Sequence, residues 1–336
     1  MKMRVLAVAT LCLGGSLLGG CKAIEQLKKV GEAAQQATSA AAEAAGPSAE
    51  EEKDAEMGEK LGHYIECLNR VSRDAFRTKN HYLRDVDKDK GPTGKESSIY
   101  VSELNIQYCT DALDKAKAAK PPLPEIEAAA VDYRTSIEAL APLLKQAHDY
   151  YDRKDFKDDK FAKGIELHPK LMAAFAAFEK ANKPFDDKVT ALNEQIGQRQ
   201  LARLKERPDR KLQYLIEKSV DDAKKIVKFT DIDNIEQLDA AAYNAALEAY
   251  QKSFTEFDTY AAQNKAEADK VMMLSTFKSA GEDYLKTAKD LMRRKRDNKD
   301  FAKESGHPEH MDGHPAHLIK DFNDVIDRSN SLTFRY

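Results

Sequence analysis

The chain has 336 residues, 33% of them charged, no tryptophan and a mean hydropathy of −0.65, a composition suited to a soluble body of long, well-solvated helices. Its 54 basic and 57 acidic residues give a formal charge of −3, without the basic excess that binding a nucleic-acid backbone needs, so nucleic acid is excluded as a partner. Few glycines and few runs of Val or Ile argue against a sheet.

Met1-Lys2-Met3-Arg4 is a short basic start, and Val5 to Leu18 is an apolar run with small residues after it. That is the layout of an export signal, and it is shorter than the roughly 20 residues a bilayer-spanning helix needs. Leu18-Gly19-Gly20-Cys21 closes the run and resembles the lipobox of bacterial lipoproteins. The resemblance implies cleavage between Gly20 and Cys21, a diacylglyceryl group on the Cys21 sulfur and acylation of the new amine. At about 0.8 kcal/mol per buried CH₂, three chains hold a protein on a bilayer durably, whereas one is marginal. Lys22 follows where bacterial sorting patterns place Asp for inner-membrane retention, which implies the outer membrane, facing the periplasm. Removing residues 1–20 takes away Lys2 and Arg4 and moves the formal charge to −5.

From Cys21 to Met57 the chain is rich in Ala, Gln and Glu, with Gly46-Pro47-Ser48 inside it, and reads as a tether. It reaches on the order of 30 Å as a coil and about 50 Å if helical. The remaining residues, 58–336, are expected to form one all-α body, an elongated antiparallel bundle of about seven to nine helices.

The first body helix places Leu61, Tyr64, Ile65, Leu68, Val71 and Ala75 mostly at steps of three and four, and Tyr82, Leu83 and Val86 continue the face. A charged turn, Asp87 to Gly94, stops it. Ser97 or Ser98 is the expected cap of the next helix, which carries Val101, Leu104, Tyr108, Cys109 and Leu113. Cys67 and Cys109 are equally far from position 88, as a cross-link across a helical hairpin requires. In an oxidising compartment a disulfide is the default for such a pair, with two free buried thiols as the alternative.

After Lys120-Pro121-Pro122-Leu123-Pro124, the residues Ile126, Ala130, Tyr133, Ile137, Leu140, Leu144, Ala147 and Tyr151 form a narrow heptad seam, with a kink or restart expected at Pro142. A charged linker containing Phe156, Phe161 and Leu167 folds back on the bundle. Leu171, Phe175, Phe178, Asn182, Phe185, Val189, Leu192 and Ile196 then repeat the spacing, with Asn182 placed to fix register and Pro184 to bend the helix. A shorter helix carries Leu212 to Val227. A pair follows, with Leu238 to Phe257 on one member and Met273 to Leu291 on the other, and a last helix carries Leu318, Phe322, Val325 and Ile326.

Gly91-Pro92-Thr93-Gly94-Lys95-Glu96, the run from Tyr151 through Lys163-Gly164-Ile165-Glu166-Leu167-His168-Pro169, and Tyr243-Asn244 together resemble the YiiG-like family of bacterial lipoproteins. The likeness covers residues 58–330. It implies an exported, lipid-anchored, all-helical body, and carries over no catalytic residues.

The sharpest chemical candidate is His307-Pro308-Glu309-His310-Met311-Asp312-Gly313-His314-Pro315-Ala316-His317, with four of the eight histidines. Neutral imidazoles at His307, His310, His314 and His317 would suit Zn²⁺, Cu²⁺ or Ni²⁺, against the plainer reading of a polar loop. Glu304-x-x-His307 has di-iron spacing but no second copy. Asp158 and Asp159 read as solvated turn carboxylates, and Arg293-Arg294-Lys295-Arg296 as a favourable helix end. There is no phosphate loop and no nucleophile elbow. The expectation is therefore no enzyme and no cofactor beyond the lipid, but an envelope protein that binds or scaffolds an unknown envelope protein or ligand. The alternative is a periplasmic metal or small-ligand binder using the histidine loop.

Overall fold

A computed structural model describes residues 48–232, 234–301 and 307–335. The export signal, Gly20, Cys21, most of the tether and Glu304 lie outside the described residues. Among those described, nine helices of twelve residues or more carry the fold, with short helical turns between them and one two-stranded ladder. No described helix is long and apolar enough to cross a membrane.

Helix α1 (Ala49–Cys67) begins inside the stretch read as tether. Three glutamates, Glu50 to Glu52, occupy its first turn, where the positive end of the helix dipole favours them, and Asp54 and Met57 are already buried. Residues 49–57 are thus part of the body. The body itself divides into two compact units, Ala49–Ile196 and the residues from Gly197 onward.

In the first unit α1 passes through a π-helical turn, Leu68–Ser72, into α2 (Arg73–Asp85). The helix expected from Ser97 or Ser98 starts only at Gln107, as α3 (Gln107–Ala118). Residues 99–104 are not helical because side chains take their backbone hydrogen bonds. Ser102 N–H donates to Thr78 Oγ1 at 3.0 Å, and His148 Nδ1 donates to the Val101 carbonyl at 2.8 Å. Ile99, Val101 and Leu104 are buried nonetheless. Tyr108, expected on the buried face, is instead 41% exposed, with the Arg70 guanidinium 4.9 Å from its ring centroid.

Helix α4 (Pro124–Asp152) runs unbroken through Pro142, so the expected restart does not occur. Leu140 and Leu144 on either side of the proline are buried, and their packing holds the helix across the lost hydrogen bond. All eight residues of its seam are buried. Helix α5 (Ala162–Lys205) likewise carries Pro169 and Pro184 inside it. The two seams meet at Tyr133, whose ring centroid lies 5.1 Å from that of Phe185 and 6.0 Å from that of Phe178. Each such side chain contributes roughly 1.5–3 kcal/mol on full burial. Asn182 Oδ1 accepts the Ser72 hydroxyl at 2.6 Å, and Ser72 Oγ accepts Tyr133 at 2.8 Å, so one polar chain joins α5, the π turn and α4.

The second unit packs α6 (Lys211–Val227), α7 (Ala240–Gln263), α8 (Leu274–Arg296) and α9 (Pro315–Asn330) around one apolar core. Asp239 caps α7 by accepting from the N–H groups of Ala241 and Ala242. Three core tyrosines donate to carbonyls of neighbouring helices. Tyr243 donates to Ala288, Tyr250 to Gly281 and Tyr284 to Ala223, at 2.8–2.9 Å. Met273, expected on the buried face, precedes the helix in a left-handed conformation and is 43% exposed. β1 (Val271–Met272) pairs antiparallel with β2 (Thr333–Phe334), a contact too short to leave a period in the sequence.

Candidate functional site

Four places bring together residues with chemical or linking capacity. The first is the cross-link. Cys67, the last residue of α1, and Cys109, in the first turn of α3, form a disulfide with a Cα–Cα distance of 4.3 Å. The buried Lys60 on α1 donates to the Ala119 carbonyl at 2.9 Å and pairs with Glu127 at 2.5 Å. Residue 67 thus meets 109 while residue 60 meets 119, so α1 and α3 are antiparallel. Lys60 gave no signal in the sequence beyond a charge on an apolar face.

The second place gathers the motif residues of the first unit. Tyr82 on α2, the turn Gly91-Pro92, Tyr150 and Tyr151 at the end of α4, and Gly164 and His168 on α5 are all buried. The Tyr82 hydroxyl donates to His168 Nδ1 at 2.9 Å, and His168 Nε2 donates to the Lys88 carbonyl at 2.9 Å. These partners assign the proton of a neutral ring to Nε2. Gly91 has φ +77°, and a Cβ there would stand 2.9 Å from the His168 ring. A Cβ on Gly164 would stand 2.8 Å from the Tyr151 hydroxyl.

Burial pushes the Tyr82 phenol up to about 12, and raises Tyr151 further. Tyr150 donates to Asp159 at 2.7 Å, and that bond holds the Asp159 carboxyl below its usual range. Asp159 also accepts the Lys163 N–H at 3.0 Å, so this carboxylate is a structural acceptor rather than a free one. Both imidazole nitrogens are engaged and the phenols stay protonated at neutral pH. The cluster fastens the turn after α2 onto the corner between α4 and α5.

The third place is the histidine loop. The rings of His307 and His310 meet edge to face, with centroids 6.4 Å apart. His314 caps α9, its Nδ1 accepting the Ala316 N–H at 3.0 Å, and its ring lies 4.9 Å from that of Phe301. His317 Nδ1 donates to the Met311 carbonyl at 3.2 Å, and its Nε2 lies 3.6 Å from Asp321. Asp321 in turn accepts Thr287 at 2.5 Å. Among the described residues, no three or more His, Cys, Asp or Glu side chains are gathered as a metal site would require. In the basic run beside this loop, Arg293 and Arg296 pair with Asp290 and Asp297, and the two residues between them bond backbone. Arg294 Nε donates to the Asp312 carbonyl at 2.5 Å, and Lys295 to the carbonyls of Ile235 and Glu236.

The fourth place is a cleft of about 890 Å³ in the second unit, between the end of α7, the turn at Asp209 and Arg335. Sequence reasoning missed it, because its walls come from three segments whose meeting depends on the β1–β2 pairing. Lys265 and Lys270 alone are two of many surface lysines.

Against known proteins, residues 55–331 match the model of a family described as a protein of unknown function (DUF3829). The chain is 30% identical over 298 residues to the Escherichia coli (strain K12) protein named "Uncharacterized protein YiiG", covering 84% of this chain and 80% of that one. No solved structure matches the chain. The likeness expected over residues 58–330 is thus present over nearly the same span, and the chain belongs to the DUF3829 family of proteins of unknown function.

Proposed function

We propose that this protein is exported, anchored by lipid at Cys21 and held at the bacterial outer membrane with its helical body in the periplasm, as a binding or structural component of the envelope rather than an enzyme. The observation that supports this reading most is the Cys67–Cys109 disulfide, both of whose residues are fully buried. Bonds of this kind persist where the compartment is oxidising. The basic start, the apolar run and Leu18-Gly19-Gly20-Cys21 supply the matching address.

The reading is tested by growing cells that express the full chain with labelled palmitate. Label on the protein and recovery in the outer-membrane fraction are expected, with both lost in Cys21→Ser. Unlabelled, full-length protein in the cytoplasm would overturn the proposal.

A further inference from the structure

The cleft of the second unit has an uneven supply of hydrogen-bonding groups. It is lined by Asp209, Asn264, Lys265, Glu267, Lys270 and Arg335, with Ala262, Ala266 and Val271 as its apolar lining. Its two carboxylates are already committed. Asp209 is held by Arg207 at 2.9 Å and Arg210 at 3.4 Å, and its pKa is lowered accordingly. Glu267 accepts the Leu212 N–H at 3.2 Å through one oxygen and the Tyr260 hydroxyl at 2.8 Å through the other.

The three cations are not committed in this way. Neither the Lys265 nor the Lys270 ammonium meets an acceptor among the described residues. Among the described residues the Arg335 guanidinium donates to the Met272 sulfur, at 2.8 Å, a weak acceptor that leaves other N–H groups of the fork available. Arg335 is held at the cleft by its backbone, since its N–H donates to the Lys270 carbonyl at 3.0 Å beside the β1–β2 ladder. Two of the cations are therefore fixed to the same ladder. The volume lies within the roughly 300–1,000 Å³ of small-molecule sites.

We propose that this cleft binds a small organic oxyanion, a phosphate or carboxylate carried on a short carbon skeleton. Lys265, Lys270 and Arg335 take the acidic group, and Ala262, Ala266 and Val271 take the carbon atoms. An Arg fork beside two ammonium groups matches an oxyanion with several acceptor oxygens. Binding here does not depend on where the protein resides, so the proposal stands apart from the lipid anchor. The same chemistry occurs on a free metabolite and on a phospholipid headgroup.

The test is calorimetry on the purified full chain with citrate, glycerol 3-phosphate and, below its micelle concentration, dihexanoylphosphatidylglycerol. Saturable binding of at least one probe is expected, weakening about tenfold for each charge removed in Lys270→Ala and Arg335→Ala, and weakening with added salt. These side chains are exposed, so the variants keep the helical circular dichroism of the parent. Tighter binding of the short-chain lipid than of glycerol 3-phosphate assigns the headgroup as the source, and the reverse order assigns a free solute. No binding of any probe, or an equal loss in Lys252→Ala on the exposed face of α7, overturns the site.

Discussion

The Tyr82 hydroxyl meets Nδ1 of His168 at 2.9 Å, across 86 residues of sequence and wholly within the buried part of the first unit. Tyr82→Phe leaves that nitrogen without a donor, and the loss is expected to cost about 1–3 kcal/mol in the urea unfolding of the chain. A double-mutant cycle with His168→Phe isolates the contact, and a coupling near zero would show that the pair contributes nothing to the fold.

Gly281 on α8 has no room for a methyl group. A Cβ there would come within 2.2 Å of the Phe254 ring on α7, while Tyr250 bonds the carbonyl of the same glycine at 2.9 Å. Gly281→Ala is expected to destabilise by about 1–3 kcal/mol, although alanine is the better helix former. Thermal melts of this variant against Gly197→Ala on α5, where nothing lies within 4 Å, provide the comparison.

Reduction of the Cys67–Cys109 bond frees a loop with a sequence separation of 42. In the chain-entropy account this removes about 4 kcal/mol. Melts with and without reductant, beside the Cys67→Ser/Cys109→Ser variant, check the figure; a variant that melts with the oxidised parent contradicts it.

Burial pushes both Tyr64 and Tyr82 up to about 12. An unfolded phenol ionises near 10. Below that pH both states hold the proton and the contribution to stability is complete. Between about 10 and 12 only the unfolded chain releases it, so stability falls as pH rises through this window. Urea midpoints measured from pH 8 to 12 are expected to decline at the alkaline end. The slope should be shallower in Tyr64→Phe/Tyr82→Phe, and an unchanged slope would contradict the assignment.

His314 holds the first turn of α9 through its Nδ1. His314→Ala is expected to cost about 1 kcal/mol, with His314→Asn recovering most of it because Asn caps well. Equal loss in both variants would assign the effect to the ring contact with Phe301 instead.

The heptad seams were the most legible part of the chain, because residues such as Ile137 and Phe178 recur at the period that their burial requires. The disulfide was readable from symmetry about the turn. Four features were not. Ser97 and Ser98 look like caps, but Thr78 and His148, distant in sequence, take backbone hydrogen bonds of residues 101 and 102, and residues 99–104 are not helical. Met273 keeps helical spacing yet turns left-handed where β1 meets α8. The histidines cluster in sequence, but His314 and His317 are occupied by the backbone of their own loop. The Lys270–Arg335 cleft depends on a two-residue ladder that no period announces.

The position of Cys67 at the end of α1 sets how the molecule responds to force. A pull on the chain at Ala49 would strip the packing of Met57 and Leu61 and tear Lys60 from the Ala119 carbonyl, one helical turn after another. It would then arrive at a covalent bond to α3. Tension entering from the amino-terminal side passes through that sulfur bridge into α3, so residues 68–108, closed in the loop between the two cysteines, are shielded from it.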